Sequence, residues 1–428
     1  MKKNILVLTE SMRPFTSEWG SCQRVYYYSK ALIEDGYGVS IICKNNSEQE
    51  KGLYYFDGIK VISFDEPNIN KENNAQKSSF KERLVKFIKS KKIIHSILKF
   101  VYRLLYSEPN LFRGHESKKW ANNNKKKIIE YIKNNDVQTV IVSGPPFGLF
   151  YLVSSLKKNK VKIVLDYRDP WNLWYGKFSF SNRHEKKAIR FADVVVSSTN
   201  ELAKAIKINY KKNDSISVLN GYDEERWKNI KKNKEDSDSF VVSYIGTIRI
   251  NNSPDFRNPT VLLEASKEFL TRHNDAVVRI IGVGDDLEQM GKNEIDRLFF
   301  EKQVSVEESL KYTVNSDLLL VLHTAHDDSG NYIVCGKIYD YLRSKNRILS
   351  IGDKAECNKN LIESSKCGLH VKNNFDSILN GLEREYERWK KRELDNCCTF
   401  EITKYSRQFQ NKLFVSYLNQ MLGEKRND

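Results

Sequence analysis

Long hydrophobic runs are missing from this chain of 428 residues. No apolar stretch approaches the roughly 18 to 20 residues a helix needs to cross a bilayer, so no helical membrane span is expected. The opening MKKNILVLTE carries two lysines, but its apolar run breaks too early for the core of a secretory leader. Cysteine is scarce as well. The seven (Cys22, Cys43, Cys335, Cys357, Cys367, Cys397 and Cys398) are odd in number, scattered and never spaced CxxC. That pattern excludes a disulfide framework and a cysteine zinc site, and it predicts reduced thiols. Acid is the charge in short supply: 55 Asp and Glu stand against 71 Lys and Arg, a net +16. Such an imbalance points to an anionic partner.

The excess is concentrated. Residues 77–127 hold 15 basic and 3 acidic residues, a net +12. Within it, FKERLVKFIKSKKIIHSILKFVYRLLY (80–106) sets Leu84, Phe87, Ile88, Leu98, Val101 and Leu105 on one side of a helical wheel, with Lys81, Lys86, Lys89, Lys92, Lys99 and Arg103 mostly elsewhere. A cationic amphipathic helix suits a surface of anionic lipid. The other reading is a helical pair packed on the body of the protein with its lysines in water. Nucleic acid is not expected, because Phe80, Phe87 and Phe100 fall near the apolar side and form no stacking platform.

What is abundant is a rhythm. Short runs rich in Val, Ile and Leu alternate with longer helical patterns: NILVLT (4–9), VSIICK (39–44), KVISF (60–64), TVIVSG (139–144), KIVLDY (162–167) and VVVSST (194–199). SISVLNGYD (215–223) closes this half, and the rhythm restarts with FVVSYIG (240–246), AVVRIIGVG (276–284), DLLLVLH (317–323) and RILSIG (347–352). Continuously apolar strands separated by helices predict parallel sheets covered on both faces. The expectation is therefore two doubly wound halves with a ligand crevice at the carboxyl ends of their strands. A last helical pattern, 403–422, has no strand after it.

Strand ends in the second half carry the residues with chemistry. Gly246 and Thr247 follow one strand and Gly282 and Gly284 the next, while Gly336 and Lys337 open a helix. Glycine lets backbone approach a ligand, and amides at a helix start suit phosphate. Lys337 adds a mobile cation, and Asp340 one turn on can accept hydrogen bonds from a diol such as ribose. Taken alone, the pair is more simply read as an ordinary exposed helix ion pair. His323, His326, Asp327 and Asp328 follow a strand, so their spacing does not set two rings on one helical face, and no metal is expected there. In LDYRDPW (165–171), Asp166 and Asp169 sit at a strand end, where they are expected to face the crevice. Asp169 then orients an acceptor hydroxyl or Arg168. The competing reading makes these acids turn caps paired with Arg168.

Seven stretches in order resemble one family. They are WGSCQRVYYYSKALIEDGYGVSIIC (19–43), SGPPFGLFYLVSSLKKNK (143–160), LDYRDPW, FADVVVSSTNELAKAI (191–206), VLNGYD (218–223), YIGTI (244–248) and GKIYDYL (336–342). Together they resemble glycosyltransferase family 4, and within it the bacterial branch that builds surface polysaccharides. The resemblance implies a GT-B fold of two Rossmann-like domains: an acceptor-binding domain over 1–218, a nucleotide-sugar domain over 219–400, and a final helix (401–428) crossing back to the first. It implies a retaining hexosyl or N-acetylhexosaminyl transfer from a nucleotide-diphosphate sugar to a glycan, lipid-linked in that branch. No cofactor or metal is implied.

Carried over by residue, the resemblance places Gly20, Gly246, Thr247, Gly282, Gly336, Lys337 and Asp340 on the donor, with Lys337 against the diphosphate. It sets Arg168 and Asp169 beside the acceptor. Two departures stand out. The family's E-x7-E pattern would put its first acid at Tyr332, and GTIRINNSPDFR lacks the usual GR…KG spacing. The second cation on the diphosphate therefore falls to Arg249 or Arg257, with Arg249 preferred. Catalysis is then expected from Lys337, Arg249 and Asp169, at the inner face of the cell membrane. A sugar-nucleotide epimerase of the same shape and a non-catalytic binding protein are the alternatives.

Overall fold

A computed structural model of the chain describes residues 3–17, 19–47, 52–64, 109–173, 182–232, 239–248, 258–284, 296–324, 328–393 and 401–423. The chain divides into two compact units. One takes residues 1–197, 206–216 and 427–428, and the other takes 198–205 and 217–426. The basic stretch 80–106 lies outside the described residues.

In the first unit, β1 (Asn4–Leu8) leads to α1 (Trp19–Glu34), β2 (Gly38–Lys44), β3 (Leu53–Phe56), β4 (Ile59–Phe64) and α2 (Pro109–Asn134). Then come β5 (Val137–Gly144), a 3-10 turn, α3 (Val153–Lys157), β6 (Lys162–Tyr167), α4 (Asn182–Phe191) and β7 (Val194–Ser197), followed by α5 (Asn200–Tyr210), whose first half belongs to the second unit, and β8 (Ser215–Ser217), whose last residue does. The sheet order is β3-β4-β2-β1-β5-β6-β7-β8. From β4 to β7 neighbouring strands are parallel, and β3 alone is shown antiparallel to its partner β4. That hairpin turns on Asp57-Gly58, both at positive φ, a strong short-range hairpin signal.

The second unit contains α6 (Glu224–Trp227), β9 (Phe240–Ile245), α7 (Thr260–Arg272), β10 (Ala276–Ile281), β11 (Leu298–Glu301), α8 (Val306–Val314), β12 (Leu318–Leu322) and α9 (Lys337–Ser344). It continues with β13 (Arg347–Ile351), α10 (Glu356–Ser365), β14 (Gly368–Val371), α11 (Phe375–Lys390) and α12 (Arg407–Leu422). The strands run β11-β10-β9-β12-β13-β14, and every pair is parallel. This is the doubly wound order, with its reversal between β9 and β12, where such sheets open a crevice for ligands.

Alternation of side chains explains the layers. In β12, Leu318, Leu320 and Leu322 join a core with Leu262 and Phe269 of α7 and Ile378 and Leu382 of α11. Leu319 and Val321 join a second core with Leu310 of α8, Ile338 of α9 and Leu361 of α10. Both faces are thus buried, and each leucine taken from water is worth about 1.5–3 kcal/mol. The last helix, α12, starts where Arg407 N donates to Tyr222 O and Gln410 Oε1 accepts from Leu219 N.

Candidate functional site

The crevice of the second sheet is lined by chain that has just left a strand. Beyond β9, Gly246 N donates to Ile281 O at 2.7 Å, and beyond β10, Gly282 and Val283 both donate to Glu301 O. Gly282 has φ of +101°, and a Cβ there would lie 2.6 Å from Gly246 O, so this close stacking of two strand ends requires glycine. Thr247 is exposed beside it.

Lys337, the first residue of α9, crosses to this place. Its ammonium donates to Ile245 O, and a Cβ on Gly246 would stand 2.8 Å from Nζ. Two tyrosines brace the same point: Tyr341 OH reaches Ile245 O at 3.4 Å and Tyr244 OH reaches Thr247 O at 3.3 Å. Gly336 precedes the helix, is exposed, and brings no side chain to cap it. Gly246, Thr247, Gly282 and the Lys337 ammonium therefore meet at one pair of strand ends, with Gly336 one residue ahead of that lysine.

Asp340 accepts a hydrogen bond from Trp227 Nε1 of α6 at 3.3 Å. Burial pushes its carboxyl up, opposed by the Trp227 bond and by the charges of Arg407, Arg226 and Lys337. Arg226 also pairs with Asp223 at 3.5 Å. The sequence reading overlooked Trp227, Arg226 and Arg407, although the first two lie within four residues of the end of VLNGYD. Arg249 and Arg257 lie outside the described residues, as do His326 and Asp327. His323 is buried at the end of β12, and Asp328 pairs with Lys354 at 3.0 Å.

In the first unit, the SGPPF and LDYRDPW stretches lock together. Ser143 Oγ donates to Asp166 Oδ2 at 2.8 Å and Arg168 N donates to Gly144 O at 2.8 Å. The Phe147 and Trp171 rings stack at 5.1 Å with 4° between their planes. Asp166 does not face the crevice as expected. It is 1% exposed and takes Arg24 Nε of α1 at 2.8 Å, a buried ion pair that strand-end position alone could not reveal.

Arg168 Nη1 donates to Ser21 O at 2.6 Å and so ties β6 to the start of α1. Asp169 is half-buried, and burial raises its carboxyl pKa against the pull of Arg168. Gly20 sits exposed in the first turn of α1, with nothing near where a side chain would go. Ser143, Asp166, Arg168 and Asp169 thus gather at the β5 and β6 ends of this sheet.

No protein-family model and no curated protein matches the chain. Solved structures do. A glycosyltransferase from Rickettsia africae superposes with a TM-score of 0.64 at 14% identity, covering 99% of this chain and 100% of that one. A Listeria monocytogenes protein described as a UDP-N-acetylglucosamine 2-epimerase gives 0.61 at 11% identity, over 100% and 98%. HepE of Anabaena, in complex with UDP and glucose, gives 0.61 at 13% identity, over 98% and 100%. The class these likenesses define, together with the two sheet orders, is the GT-B fold: two Rossmann-like domains.

Proposed function

We propose that the chain is a retaining glycosyltransferase of family 4 type, moving a sugar from a nucleotide-diphosphate donor to a lipid-linked glycan in bacterial surface polysaccharide synthesis. The observation that carries this reading is the Lys337 ammonium, set on Ile245 O beside Gly246 at the point where the second sheet reverses its strand order. Fixed positive charge there meets the diphosphate as the bond from the anomeric carbon to the β-phosphate oxygen breaks and its electron pair stays on phosphate. Removing one such donor from a developing oxyanion costs on the order of 3–4 kcal/mol. Asp340 faces the ribose. In the first unit Asp169, its carboxyl raised by burial, and Arg168 orient the acceptor hydroxyl. Arg249 is the second cation on the diphosphate. The reaction needs no metal, so chelator should leave turnover unchanged.

The basic segment 77–127 supports placement at the inner face of the cell membrane, with 80–106 against anionic lipid. Flotation with anionic vesicles and not with neutral ones is the expected result. Binding to neither removes the anchor.

A panel of nucleotide sugars screened by thermal shift tests the donor site, since a ligand bound only by the folded state raises its melting temperature. At least one should stabilise the protein, and an acceptor glycan should then consume it. Likeness to a UDP-N-acetylglucosamine 2-epimerase favours a second reading. Epimerised or free sugar appearing without acceptor would establish that one instead.

A further inference from the structure

Chain from Asp328 to Gly336 separates β12 from α9 and ends at the backbone of Lys337. It is fastened from behind by α10. Cys357 Sγ donates to Asn331 O at 3.1 Å, and Asn358 Oδ1 accepts from Cys335 N at 3.1 Å. Thr199 Oγ1 also donates to Tyr332 O at 2.8 Å, outside the stretch next to Lys337, and a further tie, Lys354 Nζ to Asp328 Oδ1, is solvent-exposed and therefore weak. The two ties from α10 differ in kind, because both residues are buried. Asn358 is fully buried, and its Nδ2 makes no hydrogen bond. Among the described residues its side chain's one hydrogen-bond partner is thus the amide two residues ahead of Lys337, so packing fixes the asparagine and the asparagine holds the end of the loop nearest that lysine.

We infer that Asn358, helped by Cys357, is a positioning residue for Lys337: it pins the loop so that Gly336 and Lys337 enter α9 where the ammonium reaches the crevice. The tether itself is independent of substrate, while its consequence for ligand rests on the donor-site reading proposed above. A cation aimed at a diphosphate stabilises it best when its backbone is already held, because less freedom is lost on binding.

Two substitutions separate positioning from packing. Asn358→Leu keeps the branching at Cγ and deletes the acceptor, at the cost of some added volume in a buried position. Asn358→Asp keeps the acceptor and gives up no bond at Nδ2; burial favours its neutral carboxyl, so the comparison is made at mildly acidic pH, where that form presents the same carbonyl. Hydrogen exchange of the unliganded protein should speed up about tenfold across residues 331–338 in the leucine variant and stay near wild type in the aspartate variant. Dissociation constants for UDP and for inorganic pyrophosphate should follow the same order, weakened about tenfold by leucine and less than about threefold by aspartate.

Should the leucine variant misfold, Cys357→Ala, which removes the Asn331 tie, should raise exchange over the same residues by a smaller factor. Unchanged exchange in a folded leucine variant overturns the tether. Equal damage from leucine and aspartate overturns it too, because packing alone would produce that. If exchange rises but the wild-type protein binds neither probe, the tether stands and the donor-site reading falls.

Discussion

Lys337 is the residue on which the proposed chemistry turns, and its surroundings say why a lysine is there. Its stem crosses from α9 to the end of β9, and its ammonium takes the Ile245 carbonyl, a bond an incoming phosphate oxygen can replace or join. Replacing it with alanine should lower turnover at least about a hundredfold, roughly 2.7 kcal/mol of transition-state stabilisation. The check is kcat of a variant whose melting temperature matches wild type, and near-normal kcat would remove the lysine from the mechanism. Sequence showed Lys337 because glycine, cation and acid stand so close together. It could not show Arg24, whose partner Asp166 lies 142 residues away. Nothing local marks a residue whose role is made by a neighbour brought in through folding.

Among the elements, β13 and α11 are joined by a buried pair of a different kind. Arg347 Nε and Nη2 hold both oxygens of Glu385 at 2.8 and 2.7 Å, with Glu385 wholly buried. Arg347→Met leaves that carboxylate without its cation and should cost about 3–5 kcal/mol in urea unfolding, most of it recovered in Arg347→Met/Glu385→Leu. A loss below about 1 kcal/mol would show that water reaches the site.

The strands longest in apolar run, such as KIVLDY and DLLLVLH, were legible almost to the residue because both faces are buried. β3, β11 and β14 were missed. Each is short and half-exposed along much of its length, so neither a continuous apolar run nor a clean alternation announces it. For β3 the signal was present in the Asp57-Gly58 turn.

At the scale of the whole molecule, stability should depend on pH through buried acids. Glu185 is fully buried, and burial raises its carboxyl above the ordinary 4.5, opposed by hydrogen bonds from Tyr210 OH at 2.5 Å and Asn172 Nδ2 at 2.6 Å. The folded state therefore holds this proton more tightly than the unfolded chain does. That contribution is complete below the ordinary carboxylate value and is lost as pH rises through the raised one. Glu185→Gln should flatten the fall in melting temperature as pH rises above the ordinary carboxylate value, and an unchanged slope would assign the effect to other acids.

By itself the sequence determined the two doubly wound halves, the strand ends where chemistry gathers, and the net +12 held in one segment. Those properties are written in local apolar period, in glycine placement and in charge, which need no distant partner. Only the tertiary structure decided that Asp166 is a buried ion-pair partner, that Trp227 lies on Asp340, and that α10 fastens the loop ahead of Lys337. Contacts of that sort depend on strand order and on the packing of helices far apart in the chain, and no short window of sequence contains them.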